Sequence, residues 1–195
     1  MPKVKTKIND EDLDGGPVRS RIDLVCSYNQ TGTLSGLRME IHGKAAQIPS
    51  LKNRKRHGGR VPFLDPAIKY RIRVLDYLYK KALEENRIDS LSWGDTKVAL
   101  IVICAKRKVA FDADNVLTTV RDWLEPPIKK YGKGKGKSRG WGIGLVDNDK
   151  TITGLVFTGA DLGLKLDSTL IFMRPWAEVQ DDIFGYLNKE FFSYH

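Results

Sequence analysis

The sequence predicts an α+β fold: a compact single domain in which helices pack on a mixed β-sheet, with an amphipathic helix added at the C-terminus. Three observations predict it. The chain has 195 residues, which at roughly 100–200 residues per domain is one domain with room for extensions. Hydrophobic residues make up 41% of it, enough to build a core. Period-2 and period-3.6 segments follow one another in the order βα-βα-ββ-α, without internal repeat.

Residues 1–36 mix charged and polar residues around Gly15-Gly16-Pro17 and Thr31-Gly32-Thr33, and read as an extension with at most one short strand at 22–28. Leu37-Arg-Met-Glu-Ile-His-Gly43 alternates apolar and polar positions, the pattern of a half-buried strand. From Ile48 to Arg60 a loop is expected, with five of its thirteen residues basic. Asp65-Pro66 opens the first helix, since Asp caps and Pro suits the first helical position. Ile68, Ile72, Leu75, Tyr79 and Ala82 then recur at helical spacing, while Lys69, Arg71, Arg73, Lys80 and Lys81 fall mainly on other faces. The helix fades near Asn86.

Residues 97–105 are apolar, short and β-branched, which fits a central strand buried on both faces. The second helix keeps its 3.6 period through Val116, Leu117, Val120, Trp123 and Leu124, and Pro126-Pro127 ends it. A Lys/Gly-rich loop at 129–140 follows, then strands at 151–157 and 168–174. The last element is a helix from about Ala177 to Phe192, with Ile183, Phe184, Leu187 and Phe191 on one side. That side packs on the core or extends a dimer interface, and the core is the better reading. The chain thus divides into an extension at 1–36, a core domain at 37–176 and a C-terminal helix at 177–195.

The longest apolar run, Val98 to Ala105, has eight residues against the ~20 of a spanning helix, so no membrane segment is expected. The start, Met1-Pro-Lys-Val-Lys-Thr-Lys, has no apolar stretch of the secretory kind, and the chain is expected in the cytoplasm. Two cysteines make no disulfide framework; Cys104 sits inside the apolar run as a small core residue. The formal net charge of +9 is unevenly spread. Residues 37–87 hold 13 basic and 5 acidic residues, a net of +8, and residues 106–150 hold 11 and 6, a net of +5. Residues 151–195 hold 3 and 6, a net of −3. Basic charge concentrated in this way suits a polyphosphate backbone; solvated surface lysines are the alternative.

The Gly/Lys loop is not a Walker A motif, because Tyr131 stands where the first glycine of G-x-x-x-x-G-K-[ST] belongs and no buried strand precedes it. It is either a cationic loop touching a phosphate backbone or a plain linker. Asp112-Ala-Asp114-Asn115 sits at a strand-to-helix junction, where residues two apart in an extended segment point the same way. Two such carboxylates repel unless a hard cation such as Mg²⁺ joins them. Helix capping by Asp114 or Asn115 is the local alternative, and both can hold together. Asp147-Asn148-Asp149-Lys150 is a second acidic cluster, readable as an Asx-type turn. If it meets the first across neighbouring strands, three carboxylates converge on a cation able to bind a phosphate and generate hydroxide. His42, His57 and His195 have no ligand spacing to one another, so zinc is not expected. Tyr28, Trp93, Trp141 and Trp176 read as core aromatics rather than base-stacking platforms.

Over residues 37–174 the chain resembles the RusA-type Holliday junction resolvases. The likeness lies in Pro49-Ser-Leu-Lys-Asn53 with its basic loop, in the helix opening Phe63-Leu-Asp-Pro-Ala-Ile-Lys-Tyr-Arg, and in Asp112-Ala-Asp-Asn-Val-Leu-Thr-Thr-Val-Arg-Asp-Trp-Leu124. Gly144-Leu-Val-Asp-Asn-Asp-Lys-Thr-Ile152 is similar to the family's second acidic turn. The resemblance implies a homodimer that binds four-way DNA junctions and cuts two opposed strands, with Mg²⁺ or Mn²⁺ held in each subunit by Asp112, Asp114 and Asp149. Asp147 is the alternate or support for Asp149. Contacts to DNA would come from Lys52, Asn53, Arg54, Lys55 and Arg56, and from Lys69 and Arg73 on the first helix. Lys106, Arg107, Lys108 and Lys150 would add to them beside the acidic motifs, and Lys133, Lys135, Lys137 and Arg139 in the Lys/Gly loop. One position departs from the family: a catalytic lysine usually follows DxDN by one turn, and Thr118 stands there. Either Lys150, Lys106 or Lys108 supplies that cation, or the enzyme is weak or altered in substrate.

Overall fold

The computed structural model describes residues 19–49, 55–58, 61–64, 66–105, 113–127, 141–147, 149–158 and 168–187; at 55–58, 61–64, 105, 113–115, 149, 154–158 and 183–187 the backbone alone is described. The elements are β1 (Arg21–Tyr28), β2 (Leu34–His42), β3 (Lys55–Gly58), β4 (Val61–Leu64), α1 (Pro66–Glu85), β5 (Val98–Ala105), α2 (Ala113–Leu124), β6 (Ile152–Thr158), β7 (Ser168–Pro175) and α3 (Trp176–Leu187). Strands β1-β2-β7-β5-β6 form one mixed sheet in that order, antiparallel except for the parallel pair β5–β6. The α+β class therefore holds.

One sheet face carries the core. Leu24, Met39, Ile171 and Val102 face one another across β1, β2, β7 and β5, as do Cys26, Leu37, Met173 and Leu100 in the next row. Met39, Leu100, Val102, Ile171 and Met173 are fully buried. Each such side chain contributes roughly 1.5–3 kcal/mol through its removal from water. The helices cover this face with the stripes their spacing predicts, Ile68, Ile72, Leu75, Tyr79 and Ala82 on α1, joined by Leu78, and Val116, Val120, Trp123 and Leu124 on α2, where Leu117 is only half-buried. On the other face of β1 and β2, Arg21 pairs with Asp23 at 3.1 Å, His42 with Asp23 at 3.0 Å and Arg38 with Glu40 at 2.7 Å. Exposed pairs of this kind add little stability, so they keep the face polar rather than hold it.

Three expectations change. The strand foreseen in the extension is β1, and it is part of the main sheet, with Ile22 and Leu24 buried. Residues 48–60 are not all loop: β3 pairs antiparallel with β4, from Lys55 opposite Leu64 to Gly58 opposite Val61. Strand β5 is fully buried at Val98, Leu100, Val102 and Cys104, but Ile101 and Ile103 are half-buried, so its second face is less covered than expected. Among the aromatics, Trp93 and Trp141 are core residues, Trp176 is half-buried, and Tyr28 is 52% exposed where β1 ends at its hairpin. Helix α3 is described as far as Leu187 and lies against β5 and β7, with Trp176 N–H donating to Lys97 O at 2.8 Å. Residues 1–18, Asp65 and 188–195 lie outside the described residues.

Candidate functional site

The acidic motifs flank one β-α-β unit. β5 leads through α2 to β6, its parallel neighbour, with Val98 level with Ile152. Parallel pairing puts the chain leaving β5 and the chain arriving at β6 at opposite ends of the strand pair. A meeting of the two acidic segments across neighbouring strands, the condition under which the sequence brings three carboxylates together, involves Asp112 and Asn148, which lie outside the described residues; what is described between the two ends is α2. That helix packs on β6 and reaches the short 3₁₀ turn Asp149–Thr151 that precedes it.

α2 begins at Ala113, earlier than capping by Asp114 or Asn115 would require, so both residues sit in its first turn. An acidic residue there faces the positive end of the helix dipole. The far end of α2 is fastened by the returning chain. Ile143 N–H donates to Trp123 O at 2.9 Å, Leu145 and Val146 N–H both donate to Leu124 O, and Gly144 N–H donates to Glu125 O. These bonds satisfy carbonyls that a helix end otherwise leaves open. Gly142 makes the return possible. Its φ is +125°, and a Cβ there would overlap Glu125 O and lie 3.3 Å from Pro126 C and Pro127 N. The backbone before residues 128–140 thus touches the backbone after them.

Helix geometry separates the acidic candidates. Asp114 stands ten residues before Leu124, about 15 Å along the axis. From Val146, held at Leu124, three residues to Asp149 can climb at most about 10 Å back along α2. Asp147 is only one residue on; its N–H lies 3.5 Å from Gly94 O and its side chain is exposed. Asp149 can therefore come much nearer Asp114 than Asp147 can. Asp112, Asn148 and the side chains of Asp114 and Asp149 lie outside the described residues. Among the described residues no group of three or more His, Cys, Asp or Glu could hold a metal ion.

Of the expected cationic contacts, Lys69 and Arg73 are half-buried on α1 and Lys150 is exposed in the 149–151 turn. Lys55 and Arg56 lie in β3, described by backbone only. Lys52, Asn53, Arg54, Lys106, Arg107, Lys108, Lys133, Lys135, Lys137 and Arg139 lie outside the described residues. Thr118 is exposed on α2, one turn beyond Asp114 on the same side.

One residue was missed by sequence reasoning. Asp76 on α1 accepts a hydrogen bond from Trp123 Nε1 at 2.8 Å and another from Gly142 N–H at 3.4 Å. Burial pushes its carboxyl above the usual range, opposed by both hydrogen bonds and by the nearby charges of Lys80 and Arg73. Its signal was an acid four residues after Ile72 and three before Tyr79, on an otherwise apolar stripe. Lys80, exposed one turn beyond Asp76, extends the cationic line of Lys69 and Arg73. Tyr79 packs edge-on against Trp123, with ring centres 6.2 Å apart, and burial raises its hydroxyl pKa.

Compared with known proteins, the chain matches no family model, no curated protein and no solved structure. No helix among the described residues is long and apolar enough to cross a membrane.

Proposed function

We propose that the chain is a RusA-like, divalent-metal-dependent endodeoxyribonuclease that resolves four-way junctions or other branched DNA. One observation carries this reading: α2, which bears Asp114, packs against the turn that bears Asp149. The two elements that the sequence singles out for acidic chemistry are neighbours, and the cationic line of α1 joins α2 at Asp76.

Asp112, Asp114 and Asp149 would hold Mg²⁺ or Mn²⁺, the reach along α2 favouring Asp149 over Asp147. The bound ion supplies charge for the scissile phosphate and lowers the pKa of a water molecule. Lys69, Arg73 and Lys80 hold the DNA backbone on α1, with the basic segments 52–56, 106–108 and 133–139 adding to the grip. Carboxylates set in basic surroundings attract DNA over the whole surface while gripping a cation at one point. A homodimer with a two-fold axis would present two such sites to the paired strands of a junction.

Thr118 favours a second reading, a branched-DNA-binding protein that keeps the fold without the chemistry. Incubation with synthetic four-way junctions, with and without Mg²⁺, separates the two. The nuclease reading expects paired incisions that need Mg²⁺ and vanish in Asp114→Asn. Tight junction binding that ignores divalent ions and yields no product would decide for the second.

A further inference from the structure

We infer that the outer edge of β1 and the cleft beside it form a docking site for an extended, acidic segment of a partner protein. The inference goes beyond the nuclease reading and does not rest on it. β1 is the last strand on its side of the main sheet, and among the described residues no strand pairs with its second edge. Such an edge offers a row of N–H and C=O groups that an extended backbone matches. Val25 on this strand is 57% exposed, an apolar side chain left open to water. Between the start of β1 and the second half of α1 lies a cleft of about 170 Å³, the size of cavity that takes a benzene ring. Its floor is apolar, from Ile22, Leu78 and Ala82, all buried. Its charged lining sets Arg19, Arg21 and Lys81 against one carboxylate, Glu85.

These features select the ligand. Exposed and buried residues alternate from Arg19 through Leu24, so Arg19 and Arg21 share the outward face, roughly 7 Å apart along the chain. A strand laid along β1 with acidic residues two apart places one carboxylate beside each guanidinium. The residue between them points to the other face, the side of Ile22, and an apolar side chain there enters the cleft. The fitting pattern is acid, apolar, acid. Arg21 has donors for it, because it holds Asp23 through Nε alone, at 3.1 Å, and keeps both terminal amino groups for a ligand. Asp23, the next outward residue, would repel a third acid, so the acidic run is short, and the position opposite Val25 favours an apolar residue. A nucleic-acid backbone would meet the same cations, but it has no partner for the strand edge or for the apolar floor.

The test titrates the full chain into a fluorescein-labelled peptide, Val-Thr-Thr-Thr-Asp-Leu-Asp, followed by fluorescence anisotropy, with amide hydrogen exchange read over residues 19–25. The peptide should bind and slow exchange along β1. Reversing both arginines, Arg19→Glu with Arg21→Glu, should weaken binding by about 10-fold or more, while circular dichroism melts stay close to the parent because both side chains are exposed. Where that variant fails to fold, two altered peptides probe the same contacts on the unmodified protein. One carries lysine in place of both aspartates; the other is N-methylated at two successive residues, one of whose N–H groups must face β1. Both should bind far more weakly. No binding of the first peptide, equal binding of the lysine peptide, or displacement by four-way junction DNA as effective as by unlabelled peptide would each overturn the inference. Binding that appears only after Asp10, Asp12 and Asp14 are changed to Asn would assign the site to the chain's own acidic stretch and overturn the partner. None of these outcomes bears on metal-dependent incision, which stands or falls separately.

Discussion

Gly142→Ala is the sharpest test of how the acidic segments are joined. Two costs add. The φ of +125° lies where side-chain-bearing residues are strained, by about 1–3 kcal/mol. The new Cβ would also overlap Glu125 O, and relieving overlap in a packed site costs another 1–3 kcal/mol or so. Because Glu125 O accepts from Gly144 N–H at 3.2 Å, moving it also loosens the end of α2. A total near 4 kcal/mol lowers the melting temperature by roughly 8–16 °C in a chain of this size. Gly94→Ala is the control. Its φ is +52°, nothing lies within 4 Å of the added Cβ, and strain of about 1–2 kcal/mol is all it should show. Circular dichroism melts of the two variants beside the parent measure the difference. If Gly142→Ala melts no lower than Gly94→Ala, the close approach of residue 142 to Glu125–Pro127 is not part of the folded state, and the clamp on α2 falls with it.

Three further outcomes follow from the same geometry. Burial raises the Asp76 carboxyl pKa, so the native state binds its proton more tightly than the unfolded chain; the stability it contributes is complete below the unfolded value and is lost as pH rises through the folded one. Urea titrations of Asp76→Asn and parent should therefore shift in favour of the variant as pH rises from about 3.5 to 7, and a difference independent of pH would contradict the burial of that group. Asp149→Asn should slow Mg²⁺-dependent incision by at least about 100-fold, more than removal of an outer-shell partner typically does, while Asp147→Asn stays within about threefold; equal effects would refute the assignment drawn from reach along α2. Replacing residues 128–140 by a short Gly-Ser linker should leave the melting temperature nearly unchanged, because the chain is already closed at Gly142. Junction affinity should fall and its salt dependence flatten by about 0.9 for each phosphate that the loop no longer neutralises, and unchanged binding would mean that the loop cations do not touch DNA.

Where residues carry periodic information, the sequence was easy to read. The stripes of α1 and α2 and the apolar run of β5 are visible because each element buries one regular set of side chains. β1 is harder to see since Val25, apolar but 57% exposed, interrupts the alternation of Ile22, Leu24 and Cys26 with the outward Arg21, Asp23 and Ser27. The β3–β4 hairpin is hidden by composition, a basic run through Gly58-Gly59 that has no apolar alternation on its first strand. Insertion of β7 between β2 and β5, and the parallel pairing of β5 with β6, are long-range choices that no local pattern encodes. For the candidate site the residue types were legible and their placement was not: DxDN and D-N-D stand out as chemistry, but only the parallel β-α-β unit shows that Asp114 lies in the first turn of α2 and that this helix packs against the 149–151 turn. Asp76 shows the converse case, a residue whose role appears only when its partners, 47 and 66 positions away, are brought beside it.

On the proposed nuclease reading, the helix lysine that the resemblance leads one to expect, and whose place Thr118 takes, is best judged by what a cation must do there. Charge develops on the phosphate oxygens and the leaving group, so the requirement is for a positive group near those atoms, not for a lysine at one helix position. Thr118 is exposed one turn from Asp114 and carries no charge. Lys150 is exposed and adjoins Asp149 in the turn that α2 packs against, so it stays with the same acidic residue whatever the helix does. Removing it should therefore act on chemistry more than on binding: Lys150→Ala should lower single-turnover incision by about 10–100-fold, the range expected for one stabilising group, with junction affinity nearly unchanged. Adding Thr118→Lys to that variant should restore much of the rate, since a lysine stem reaches from the same side of α2. A Lys150→Ala enzyme that cuts at the native rate but binds junctions more weakly would make Lys150 a backbone contact, and the charge would have to come from another element.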